Sequence, residues 1–190
     1  MHIKDLIKQI KQDHWTKIVI IGPEFSGTTI SAWIIAKALK FEFISESFFK
    51  RLDCVDFRKK VKTRKDCVCQ CPSLTSFAAA IPSDIFIVVI KRDLSDILME
   101  QRRAGFSYSE AEKRMFGDHH LFNMENPLAH VKYEFVSWIA RDRKIETVDF
   151  TSLEGHKLYI DHAGRRNLKP GQIIYNKKTP ITFNFGVKKK

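Results

Sequence analysis

GPEFSGTT, residues 22–29, joins an apolar run (KIVII) to an amphipathic stretch (ISAWIIAKAL). A strand ending in glycine, a tight turn and a helix start together aim several unpaired backbone N–H groups at one point. The helix dipole adds about half a positive charge there, so an anion is favoured. Gly22 and Gly27 keep the G-x-x-x-x-G spacing of the commonest nucleotide-binding loop, and two hydroxyls follow at Thr28 and Thr29. Thr28, however, stands where that loop has its lysine. The same residues would also serve an ordinary strand-to-helix turn, with glycine for conformation and Ser26 and threonine as helix cap.

Other chemistry-bearing residues fall at matching places. Arg92, Asp93 and Asp96 follow the apolar run IFIVVIK, and Glu46 closes FEFISE. Ligands of parallel sheets bind at the carboxyl ends of strands, and that rule collects the 22–29 loop, Glu46 and Arg92 on one edge. Glu46 and Asp93 are available as carboxylate bases. His119 and His120 have the right ordinary pKa for the same task, although a surface histidine pair is the plainer reading. Cys54, Cys67, Cys69 and Cys71 invite a zinc site, but C-x-C-x-C fits the usual paired C-x₂₋₄-C clusters poorly. They read as reduced cysteines, and no metal ligand set is expected.

The elements that must position these groups follow from periodicity. Residues 1–15 carry Ile3, Leu6, Ile7 and Ile10 at helical spacing. Strands are expected at 17–22, 41–46, 85–91 and 145–150, with a short further one in HKLYID (156–161). The continuous β-branched runs suit strands buried on both faces of a parallel sheet. Helices are expected from the loop to about Lys40, from Asp93 or Ser95 to just before Gly105, over 107–117 and over 128–142. Between 47 and 84 lies a polar, basic, cysteine-containing connection with helical pieces near 47–62 and 73–80. Alternating strands and helices predict an α/β fold, a three-layer α/β/α domain of the P-loop type around a central parallel sheet. One domain should span 1–163, and 164–190 should form an irregular basic segment.

The 190 residues, 44% hydrophobic, suffice for one sizeable core. No run approaches the roughly 18 apolar residues of a membrane helix, and the first residues lack a signal-peptide core, so a cytoplasmic location is expected. The net charge of +11 points to anionic partners: a phosphorylated ligand, nucleic acid met by a basic surface, or acidic lipid. RKKVKTRK (58–65) and the closing GVKKK are local runs that also read as solvated loops or tails.

SGTT after a strand and a proline resembles the 5′-phosphosulfate loop of sulfotransferases, roughly P-K-S-G-T-T-W. IFIVVIKRDLSDIL is similar to that family's strand–helix block I-x-x-V-R-[DN]-P-x-D-x-x-x-S, CPSLTSF to its K-x-P-x-L segment, and IETVDFTSL to its V-x-Y-E-D-L strand. The four blocks keep the family's order over roughly residues 17–153. The resemblance implies a PAPS-dependent transferase, with Ser26, Gly27, Thr28 and Thr29 on the 5′-phosphate of PAPS or PAP and Arg92 on the 3′-phosphate. It implies sulfuryl transfer to a hydroxyl or amine of an acceptor that the sequence does not name. Three departures stand out. Phe25 aligns with the loop lysine that contacts the sulfuryl group, Glu100 with the serine that partners the 3′-phosphate, and Ile30 with the tryptophan.

Removing a cation where charge develops typically costs orders of magnitude in rate. The chain is therefore either an enzyme with relocated cations or a member that binds without catalysis. Lys91, Arg102 and Arg103 are nearby candidate replacements, and the resemblance implies that Arg165 and Arg166 close over the nucleotide as the family's C-terminal basic loop does. Two further readings stay open. One is a degenerate nucleoside or nucleotide kinase using ATP-Mg, with Arg102, Arg103 and Arg114 as its lid; the absent loop lysine and magnesium carboxylate count against it. The other is a non-catalytic nucleotide- or nucleic-acid-binding member of the fold.

Overall fold

In the computed structural model the described residues are 1–49, 54–106, 127–154 and 156–159. Five parallel strands form one sheet in the order β2-β3-β1-β4-β5: β1 (Lys17–Ile21), β2 (Glu42–Ile44), β3 (Cys67–Gln70), β4 (Phe86–Lys91) and β5 (Ile145–Asp149). Around them lie α1 (Ile3–Gln12), α2 (Thr28–Leu39), α3 (Cys54–Val61), α4 (Leu94–Ala104) and α5 (Pro127–Ile139), with 3₁₀ turns at Glu46–Phe48, Pro72–Ala80 and Phe150–Leu153.

Strand alternation sorts the core into two layers. Ile18, Ile20, Val68, Phe86, Val88 and Ile90 face α1 and α2, meeting Ile3, Leu6, Ile10, Ile34 and Ile35. Val19, Ile21, Cys67, Cys69, Ile87 and Val89 face the other way, against Phe57, Val61, Leu74, Val136 and Ile139. The molecule is thus a three-layer α/β/α domain with a central parallel sheet, and the turn between β1 and α2 makes it of the P-loop type. α1 buries the four residues that its spacing predicts. α4 starts on Asp93, whose carboxylate accepts from Ser95 N–H, and stops at Gly105 with φ +63°.

The structure corrects three expectations. The connection after β2 contains a strand, β3, inserted between β1 and β2; CVCQ carries too little β-branched apolar character to announce it. β5 is an edge strand with Val148 alone buried, not a strand buried on both faces. Residues 156–159 of HKLYID form turns and no strand. The expected helix at 107–117, His119, His120, Arg114, Arg165, Arg166 and the 164–190 segment lie outside the described residues.

β1 sits at the centre, and the chain fills one side of it with β3 and β2 before crossing to β4 and β5. The carboxyl ends of β1 and β4 therefore flank the switch point, where open α/β sheets hold their ligands.

Candidate functional site: the loop between β1 and α2

Three residues with left-handed or otherwise positive φ bend the loop: Gly22 (+142°), Phe25 (+69°) and Gly27 (+95°). Gly22 has no room for a side chain. A Cβ there would fall 2.7 Å from Ser26 Oγ and 2.9 Å from the Ile90 carbonyl. Gly27 caps α2, and a Cβ on it would meet the ring of Phe150 at 2.2 Å. The first turn of any helix leaves backbone N–H groups unused by the helix itself, and these open onto the loop.

The loop is held from two sides. On one, Thr75 Oγ1 accepts from Gly22 N–H at 2.9 Å and lies 3.0 Å from the Gly22 carbonyl, to which its hydroxyl can donate. Thr75→Val keeps the shape but strands a buried N–H, so urea melts should show a loss of about 1–3 kcal/mol. On the other side, Arg92 Nη1 donates to the Phe25 carbonyl (3.1 Å) and Gln101 Nε2 to the Glu24 carbonyl (3.1 Å). Both carboxylate oxygens of Glu24 accept from Lys132 Nζ at 2.8 Å, and the Lys132 side chain is completely buried.

Arg92 is placed by its neighbours. Its backbone N–H donates to the Tyr133 hydroxyl, which itself donates to the Ile90 carbonyl, each at 3.0 Å. Burial pushes the Tyr133 phenol up to about 12, partly offset by the Arg92 N–H and the adjacent Ser26 hydroxyl. The guanidinium stacks on Phe150 with its carbon 4.6 Å from the ring centre, and Asp96 Oδ2 lies 3.6 Å from Nε. Glu100, one turn further along α4, pairs with Arg103 at 3.2 Å.

Glu46 reaches the loop through a relay of contacts. Its carboxylate accepts from Ser73 N–H at 2.9 Å, and its own N–H donates to Gln70 Oε1 at 3.3 Å. Gln70 Nε2 in turn donates to Thr28 Oγ1 at 3.4 Å. Burial raises the pKa of Glu46 above its ordinary value; the charge of Glu24 adds to this, and Ser73 and Lys132 oppose it. Asp93 is differently placed. It is exposed, and its bonds from Ser95 hold its carboxyl below the usual range, so of the two carboxylates Glu46 is the better proton acceptor.

The structure therefore gathers Phe25, Ser26, Gly27, Thr28, Arg92 and Glu46 at one place. Ser26 is fully buried, and its Oγ makes no hydrogen bond of normal geometry among the described residues. Phe25 contributes its carbonyl to Arg92, while its ring turns to Phe106 at 5.3 Å. Cys67 and Cys69 are free, buried thiols on one face of β3, and the neighbouring Cys67 thiol together with burial pushes Cys69 well up. Among the described residues no three His, Cys, Asp or Glu side chains are grouped to hold a metal ion.

Lys132, Gln101, Thr75 and Phe150 are absent from the sequence-derived set. Lys132 had a signal. It lies four residues after Leu128 and four before Val136, on the apolar face of α5, where a charge needs a partner.

No protein-family model matches the chain. No curated protein matches it either. Among solved structures it is similar to the shikimate kinase from Acinetobacter baumannii in complex with shikimate, at 16% identity and a TM-score of 0.46, over 84% of this chain and 91% of that one. It is also similar to a gluconokinase from Sinorhizobium meliloti 1021, at 16% identity and a TM-score of 0.39, over 68% of this chain and 94% of that one. At these values neither likeness bears on the chemistry, which rests on the residues described above.

Proposed function

We propose that this chain is a nucleotide-dependent group transferase that holds the donor's phosphates at residues 22–29 and accepts the proton of an acceptor hydroxyl at Glu46. The chain of contacts Glu46–Gln70–Thr28 carries the reading, because it ties the backbone N–H of Glu46, whose carboxylate has a raised pKa, to the first residue of α2. Ser26, Gly27, Thr28 and Thr29 are the phosphate-binding group, through backbone N–H donors and hydroxyls.

Of the two donors, ATP fits the surroundings of Arg92 better than PAPS. Asp96 is 3.6 Å from the guanidinium and Glu100 follows one turn later, an acidic flank that a 3′-phosphate would face unfavourably. Magnesium is held largely by a nucleotide's own phosphates, so it requires little of the protein. Thr29, a half-buried residue next to the loop threonine, carries the hydroxyl that would hold it, and the ion would neutralise charge on the phosphates. In the reaction the acceptor oxygen attacks the terminal phosphorus in line, its bond to the bridging oxygen breaks, ADP leaves, and Glu46 takes the proton.

A second reading, sulfuryl transfer from PAPS, is favoured by one observation: Arg92 reaches the loop itself, at the Phe25 carbonyl. Thermal shift separates the readings. Stabilisation by ATP-Mg and not by PAP is expected. PAP alone would replace the first reading by the second, and a response to polyanions without nucleotide preference would leave a non-catalytic binder.

Glu46→Gln should lower turnover by about 10²–10⁴-fold. Its pH behaviour provides a check that needs no substrate. The folded state binds the Glu46 proton more tightly than the unfolded chain does. Glu46 thus favours the fold below its ordinary pKa of 4.5, and that contribution is lost as pH rises through the raised value. Urea melts from about pH 4 to 7 should show Glu46→Gln losing less stability with rising pH than the parent protein does.

A further inference from the structure

The loop lacks its lysine, at Thr28 by one pattern and at Phe25 by the other, yet a lysine reaches the loop from elsewhere. We propose that Lys132 of α5 is the cation of the phosphate loop, held there by Glu24, and that Glu24 in turn limits the anion affinity of the site. The inference rests on the nucleotide-binding reading above.

Four observations carry it. Lys132 is completely buried, at a position whose helical neighbours Leu128 and Val136 are core residues. An apolar side chain would fit that position at no electrostatic cost, and a buried ion pair adds little stability over such a replacement. Its Nζ reaches the loop, where both Glu24 oxygens lie at 2.8 Å. α5 is registered to the site by the next residue, since Tyr133 bonds both Arg92 N–H and the Ile90 carbonyl at the end of β4. Finally, Lys132 and Glu24 both act electrostatically on Glu46, in opposite directions, so the pair lies within reach of the region between loop and acceptor side.

A charge at this place acts through space on any phosphate in the loop, in surroundings that screen it far less than water. Glu24 offsets part of that field and fixes the ammonium in position. A loop lysine on a free stem would do the first task with less constraint. Here the rigid pair leaves the loop preformed and its net charge adjustable by either member.

The test uses the full chain and measures binding of ATP-Mg and of inorganic pyrophosphate by titration calorimetry. Glu24→Gln keeps one acceptor for Lys132 but removes the opposing charge, and should tighten binding about tenfold. Lys132→Met should weaken it about tenfold or more, and Lys132→Arg should stay within a few-fold of the parent. The double variant Glu24→Gln/Lys132→Met removes both charges and should return close to the parent value. A merely structural clamp would weaken binding in both single variants; that result, or no change in either, overturns the proposal. Should Lys132→Met fail to fold, the other variants decide: tightening in Glu24→Gln with return in the double variant supports the proposal, and any other pattern overturns it. If the parent protein binds neither ATP-Mg, PAP nor pyrophosphate, the functional reading falls and this inference with it. If the parent binds and the charge variants disobey, the inference falls alone.

Discussion

Lys132→Met is expected to lower the free energy of unfolding by about 3 kcal/mol, near the lower end of what breaking a buried pair costs. The loss comes chiefly from Glu24. Its carboxylate keeps only 15% of its side-chain surface exposed, and it would lose the two 2.8 Å bonds that compensate its burial. The remaining exposure lets water enter, which is why the upper end of the range is not expected. Methionine itself suits the site, between Leu128 and Val136 on the inner face of α5. Glu24→Gln/Lys132→Met should therefore stand within about 1 kcal/mol of the parent protein, since an apolar or neutral replacement of a whole buried pair is often near neutral. Denaturant melts of the three variants measure this directly. A domain of ordinary stability, about 5–15 kcal/mol, would survive the single substitution with a much reduced margin.

Gly27→Ala should have the largest effect on ligand binding. The residue sits at φ +95°, where an L side chain is strained, and its Cβ would lie 2.2 Å from the Phe150 ring. Either the ring leaves Arg92, on which it stacks, or the start of α2 shifts. Both outcomes disturb the N–H groups proposed above to meet a phosphate. Binding of nucleotide should fall by about 100-fold or more, as when a preorganised donor is lost from an anion site, and stability by about 2–4 kcal/mol from strain and overpacking together. Adding Phe150→Ala removes the collision but not the backbone strain. The double variant should then regain part of the stability relative to Gly27→Ala alone, whereas independent effects would make it weaker still.

Local pattern made much of this fold legible. α1 shows its four apolar residues at helical spacing, β1 and β4 are unbroken apolar runs, and Asp93 and Gly105 mark both ends of α4. The grouping of Arg92 and Glu46 with the loop needed only the rule that ligands gather at the carboxyl ends of strands. β3 was not legible, because half of its four residues are cysteines, whose chemistry draws attention away from their bulk as packing groups. β5 looked buried from its sequence, yet it is an edge strand, and edge position is a property of the whole sheet. Phe150 and Lys132 were missed for a related reason. A side chain that reaches the loop from a distant element leaves no spacing signature beside the loop, and only the anomaly of a lysine on an apolar stripe hints at it.

The insertion of β3 between β1 and β2 also imposes an order on assembly. β2 is three residues long and, among the described residues, pairs only with β3, which is made later in the chain. Until β3 docks against β1, β2 has no ladder to join, and Glu46 beyond it lacks both Gln70 and Ser73. The pairing of β1 with β4 does not involve β3. Thr75, which anchors Gly22, and Gln70, which bonds Thr28, both arrive with β3 and the turn after it. A refolding chain should accordingly recover its grip on phosphate and its turnover together, at the closure of β3 into the gap.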